Sequence, residues 1–226
     1  MKKVRKRKSE LRYNEEDERT LLEDILGFFK TFAISAVVVL LFVNLIAHPV
    51  IVDGRSMDPN LQDGEYGFTS LISLLTGDVN RGDVVVIKIE EEGKESLWVK
   101  RIIGLPGETV SCVDDQIYIN GQLLDESEYM NEDYIQSYLQ QNEYGFNQVI
   151  AKVVDEQGMP VTNDRGNQQF VSIDFEPVQL KDDEYFVMGD NRPVSKDSRE
   201  IGPIKEGQLY GKGVLVLYPF DKIGVH

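Results

Sequence analysis

The chain has 226 residues, 41% hydrophobic and 28% charged, enough for one or two domains with a substantial core and too apolar for disorder throughout. Its 24 Lys+Arg against 39 Asp+Glu leave a net charge of −15, which argues against a nucleic-acid-binding surface. One cysteine (Cys112) and two histidines (His48 and His226) exclude an internal disulfide, a Cys-x-x-Cys pair and a histidine-rich zinc site, and leave a Ser-His-Asp triad only His48 as its base.

The charge changes sign along the chain. Residues 1–12 hold seven basic side chains and one acid, Glu10, whereas residues 48–226 hold 15 basic and 32 acidic ones. Residues 1–30 read as a charged cytoplasmic segment, with 9–24 a solvated juxtamembrane helix. From Thr31 to Ala47 (TFAISAVVVLLFVNLIA) 14 of 17 residues are apolar and none is charged. Roughly 17–25 such residues cross a bilayer as a helix, so 31–48 is predicted to be a transmembrane helix. A cleaved signal peptide fits less well, because 30 residues precede the run and no A-x-A ends it. The basic N-terminus should stay inside, which places 49–226 outside the cell membrane as an extracytoplasmic domain.

That domain reads as mainly β and antiparallel. Val50–Val52, Val84–Ile89, Leu97–Ile103, Gln116–Ile119, Tyr185–Met188 and Val214–Tyr218 are short runs rich in β-branched residues, separated by Gly, Pro, Asn and Asp. Asn120-Gly121 between Ile117-Tyr118-Ile119 and Gln122-Leu123-Leu124 predicts a hairpin. Two segments interrupt the pattern. Phe68–Leu75 is strongly apolar and reads either as a core strand or helix or as a surface segment dipping into the membrane. Residues 122–176, with 11 acids, two basic residues and four tyrosines, read as a polar inserted subdomain.

Three stretches carry chemistry. In Val52–Leu61, Ser56 stands at a glycine-rich bend that can expose a hydroxyl and free its N–H for an oxyanion, although a serine in such a loop is usually structural. In Trp98–Glu108, Lys100 lies inside an apolar strand. Read alone it is an edge lysine facing solvent; buried, it would have a lowered pKa and could accept a serine proton. Met188–Arg199 packs two acids, two arginines, a lysine and two serines into twelve residues, either a polar turn or a scaffold for an amine.

Taken in order, G-x-S-M-x-P, K-R-x-x-G-L-P-G-E and G-D-N-R-x-x-S-x-D-S-R, with Arg81–Ile87 between the first two, closely resemble the type I signal peptidase family. The resemblance covers nearly the whole outer domain and the anchor. It implies an antiparallel β catalytic domain of the signal-peptidase type. It also implies removal of signal peptides from secreted preproteins after small residues (A-x-A), near the export machinery and membrane lipid, with no nucleic acid, cofactor or metal. By resemblance Ser56 is the nucleophile, Lys100 the base and Ser195 an orienting hydroxyl, with Arg101–Asp190 and Asp197–Arg199 as supporting ion pairs. Some members carry a hydroxyl donor where Gly54 stands, so the Gly54 N–H is expected to serve the oxyanion with that of Ser56. Asn60 replaces the usual threonine of P-T-L and carries no assigned role. A peptide strand should lie beside Val50–Val52 and Leu97–Val99, over shallow pockets from Val52, Met57, Leu61 and Val99.

Overall fold

The computed structural model describes residues 2–45, 48–91 and 93–226. The chain divides into two units, residues 1–46 and 47–226. The first is one helix, α1 (Lys2–Leu45). Within it Leu21–Leu41 is 21 residues long with a mean hydropathy of 2.0, and none of it is buried. At 1.5 Å per residue such a stretch spans about 30 Å, the thickness of a hydrocarbon layer. The exposed side chains of Leu22, Phe28, Phe29, Phe32 and Val37–Leu40 fit a transmembrane anchor.

The Leu21–Leu41 stretch overlaps the predicted 31–48 span and extends it backwards over Glu23, Asp24 and Lys30, so the uncharged part still begins at Thr31. The other predicted boundary moves. Residue 48 is not the end of the helix, because α1 stops at Leu45 and His48 opens a strand. Ile46 and Ala47 lie outside the described residues.

The second unit contains β1 (His48–Ile51), β2 (Tyr66–Ser70), β3 (Val84–Glu91), β4 (Lys94–Gly104), β5 (Thr109–Val113), β6 (Gln116–Ile119) and β7 (Gln122–Leu123). It continues with β8 (Val149–Lys152), β9 (Phe170–Ile173), β10 (Val178–Gln179), β11 (Glu184–Met188), β12 (Ile204–Lys205), β13 (Leu209–Tyr218) and β14 (Gly224–Val225). Three short helices join them: α2 (Leu71–Thr76), α3 (Glu132–Gln141) and α4 (Ser198–Ile201). The main sheet has eight strands in the order β1-β2-β13-β3-β4-β11-β12, with β14 also on β13. A second sheet runs β10-β5-β6-β7, and β8-β9 form a separate ribbon. Every strand pair is antiparallel.

β3 explains the architecture. Val84 to Ile87 is a continuous apolar run, and all four side chains are buried. With period-two alternation, such a strand must be covered on both faces. Val84 and Val86 pack with Val50, Val52, Met57, Leu61, Val214 and Val216. Val85 and Ile87 pack with Ile102, Tyr185, Val187, Ile204 and Leu209. Each such burial is worth roughly 1.5–3 kcal/mol, so β3 is the ridge on which the domain is built.

The Asn120-Gly121 hairpin forms as expected, with both residues at positive φ and Ile119 opposite Gln122. The apolar run 68–75 splits at Ser70, whose hydroxyl accepts the Ser73 N–H and caps α2. In the insert, Phe146 is buried edge-on against Tyr134 and Tyr138 of α3. The Asp115 carboxylate ties the insert to the β5–β6 turn, accepting the N–H groups of Phe146, Asn147 and Gln148 at 2.8, 2.6 and 3.2 Å.

Candidate active site

The loop after β1 is closed at its base by two backbone bonds, Val52 N–H to Glu65 O and Gly64 N–H to Val52 O, each 2.9 Å. Inside it Gly54 adopts a φ of +92°, a conformation that a side chain would strain. The bend carries Ser56 to the rim of a cleft of about 630 Å³. Opposite stands Lys100 on β4, paired with Val85 of the ridge strand. Lys100 is 3% exposed, and its Nζ donates to Ser56 Oγ at 2.7 Å. Burial pulls its pKa down from 10.5 to about 8; Asp197 and Asp190 push it up and Arg199 pushes it further down, but desolvation dominates. A fraction of the amine is therefore neutral near pH 7, with its nitrogen already against a hydroxyl.

The loop after β11 holds this pair in place. The Asn191 N–H and side-chain amide donate to the carbonyls of Ser56 and Arg55, both at 3.0 Å. Gly189 lies directly behind: a Cβ there would stand 2.3 Å from the Ser56 carbonyl oxygen and 2.3 Å from Ser195 Oγ. Only a glycine permits that approach. Asp197 accepts the Gly189 N–H at 3.0 Å and grips Arg199 through Nε and Nη2, both at 2.9 Å. Burial alone would raise the Asp197 carboxyl, but Arg199 and the surrounding donors hold it below the usual range. Arg101 forms a two-pronged pair with Asp190 at 2.8 and 2.6 Å.

Of the expected site residues, the structure gathers Ser56, Lys100, Ser195, Arg101, Asp190, Asp197 and Arg199 around the cleft and its back wall. Ser195 Oγ is buried and makes no bond to Lys100; its hydroxyl sits beside Asp197 and helps to hold that carboxyl below the usual range. Val52, Met57 and Val99 line the cleft. Leu61 does not. The turn set by its N–H bond to Met57 O, 3.0 Å, directs it into the core cluster beneath, where it is fully buried. The expectation for Gly54 is also corrected: its N–H is already donated to Asp63 Oδ1 at 2.8 Å. The Ser56 N–H makes no intramolecular hydrogen bond among the described residues.

Several supporting residues escape a reading of the sequence. Asn60 Nδ2 donates to Asp190 Oδ2 and to Tyr129 O, both at 2.8 Å. The Tyr129 ring lies 4.2 Å from the Arg101 guanidinium, and its hydroxyl donates to Glu126 at 2.8 Å. Glu126 pairs with Arg192, a fully buried guanidinium that also donates to Gly189 O and to the Asn147 side chain. The insert thus reaches the loop behind Ser56 through Glu126, Tyr129 and Asn147.

Comparison with known proteins follows the same lines. The sequence model of the family described as signal peptidase, peptidase S26, matches residues 25–218. Signal peptidase I of Bacillus amyloliquefaciens is 35% identical over 211 residues, covering 93% of this chain and 97% of its own. Signal peptidase I S of Bacillus subtilis is 37% identical over 202 residues, 89% of this chain and 93% of its own. Signal peptidase IB of Staphylococcus aureus is 32% identical over 200 residues, 88% and 93% respectively. A solved signal peptidase I from Enterococcus faecalis, 29% identical, covers 59% of this chain and 95% of its own with a TM-score of 0.36.

Proposed function

The chain belongs to the signal peptidase family, peptidase S26, and we propose that it removes signal peptides from secreted preproteins with Ser56 as nucleophile and Lys100 as general base. The observation that carries this reading is the 2.7 Å contact between a buried, easily neutralised amine and a cleft hydroxyl.

The neutral Lys100 amine accepts the Ser56 proton as Oγ attacks the scissile carbonyl carbon. The unengaged Ser56 N–H faces the developing oxyanion. The Lys100 ammonium then passes its proton to the leaving nitrogen, the C–N bond breaks, and the signal-peptide half remains as an ester on Ser56. Lys100 next takes a proton from a water that attacks the ester, and Ser56 Oγ recovers the proton as it leaves. Ser195, buried beside Asp197, is assigned the orienting role. Arg101–Asp190 and Asp197–Arg199 keep the loops rigid around the reacting atoms.

A substrate entering the cleft would lie extended between β1 and the Leu97–Val99 part of β4, adding backbone bonds to exposed strand edges. The apolar walls of Val52, Met57 and Val99 are compatible with small side chains such as those of A-x-A. The apolar stretch of α1 supports a membrane anchor, and the basic N-terminus supports an extracytoplasmic peptidase domain that meets preproteins delivered by the export machinery. Ser56→Ala and Lys100→Ala should each reduce preprotein cleavage by at least about 10³-fold, while His48→Ala leaves it intact. Loss of activity in His48→Ala with an active Lys100→Ala would refute the assignment.

A further inference from the structure

One aromatic ring in the cleft faces two cations. Lys100 Nζ stands 5.6 Å from the Trp98 ring centroid, and Lys196 Nζ stands 5.7 Å from the same centroid. Both lie within the roughly 6 Å over which an aromatic face attracts a cation. Trp98 precedes Lys100 by two residues on β4, so strand alternation puts both side chains on one side of the sheet. The ring packs against the cluster of Val85, Ile87 and Ile102 and lines the cleft, which leaves it little freedom to swing away. Lys196 also lines the cleft and is tethered by Glu91.

We propose that Trp98 is a positioning residue for the base: its face holds the Lys100 amine against Ser56 Oγ and stabilises the ammonium formed during acylation, while Lys196 competes for the same ring. The inference rests on the reading of Lys100 as the base.

The chemistry favours a ring at this place. The groups acting on the amine are Ser56 Oγ, the Asp197 and Asp190 carboxylates, the Arg199 guanidinium, and Lys196 at the shared ring; neighbouring Arg101 is matched by Asp190. A closer carboxylate would keep the amine charged and unable to act as a base. An aromatic face attracts the ammonium but offers no lone pair for its proton. It can therefore locate the nitrogen and ease the charge of the acylation step, yet leave the neutral amine free to accept from Ser56.

The test is kcat/KM against pH for the full chain in detergent, comparing the parent enzyme with Trp98→Leu, Trp98→Phe and Lys196→Met. Leucine keeps an apolar wall and removes the π face. Its rising limb should move down by roughly 0.5–1 pH unit, with a lower plateau. Phenylalanine should restore the midpoint to near that of the parent. Lys196→Met removes the competing charge and should move the midpoint the other way, by a few tenths of a unit. If Trp98→Leu does not fold, Trp98→Met takes its place. A midpoint indifferent to leucine, or shifted equally by leucine and phenylalanine, would overturn the inference while leaving the base assignment standing. A parent enzyme with no limb and an active Lys100→Ala would remove both.

Discussion

With 3% of its surface exposed, Lys100 falls from a pKa of 10.5 to about 8, and at 1.36 kcal/mol per unit the protonated amine costs the fold about 3 kcal/mol. The unfolded chain binds the extra proton between those two values, so this penalty is full below pH 8 and is relieved as pH rises towards 10.5. Urea denaturation should therefore find Lys100→Met more stable than the parent at pH 7, by up to about 3 kcal/mol, with the advantage shrinking above pH 8. A constant difference from pH 7 to 10.5 would contradict the burial argument. Gly189 offers a second test at this scale. A Cβ there would collide with the Ser56 carbonyl and Ser195 Oγ, and backbone oxygen cannot yield without moving the nucleophile. Gly189→Ala should lower kcat/KM by about 100-fold or more, the usual penalty for misplacing a reacting group by about an ångström; near-normal kinetics would show that the loop has slack.

Among the elements, the insert has a mechanical role that its composition hides. Glu126 pairs with the fully buried Arg192, whose guanidinium also holds Gly189 O behind the dyad. Removing one partner of a buried pair strands the other charge, so Glu126→Ala should destabilise the domain by about 3–5 kcal/mol, read as a shift in thermal or urea midpoint. A change within about 0.5 kcal/mol, the range of ordinary surface substitutions, would show that Arg192 finds other support. These links also mark what could be read in advance. Ser56, Lys100 and the 188–199 stretch sit in short motifs, and the Asn120-Gly121 hairpin follows from local turn chemistry. Asn60, by contrast, finds Asp190 130 residues away and Glu126 finds Arg192 66 residues away, and no local pattern encodes such meetings. The same limit affected Gly54 and Leu61. The sequence places both near Ser56, but only the closed loop shows that one N–H is already used and that one side chain points into the core.

At the scale of the whole molecule, an exposed apolar helix and a β domain with an apolar-walled cleft around Ser56 and Lys100 are joined in one chain. Tethering enzyme and preprotein in one membrane raises their effective concentration without new contacts. The seven basic residues among the first twelve favour a cytoplasmic N-terminus. Protease added to intact spheroplasts should accordingly digest the β domain, and full protection of residues 60–226 would reverse the orientation. The central claim is that a neutral lysine drives the chemistry of this anchored peptidase. It is tested most directly by the pH dependence of kcat/KM for preprotein cleavage by the detergent-solubilised full chain. The rate should rise with pH through a midpoint near 8, the value to which burial brings Lys100. A profile flat from pH 5 to 9 would contradict it.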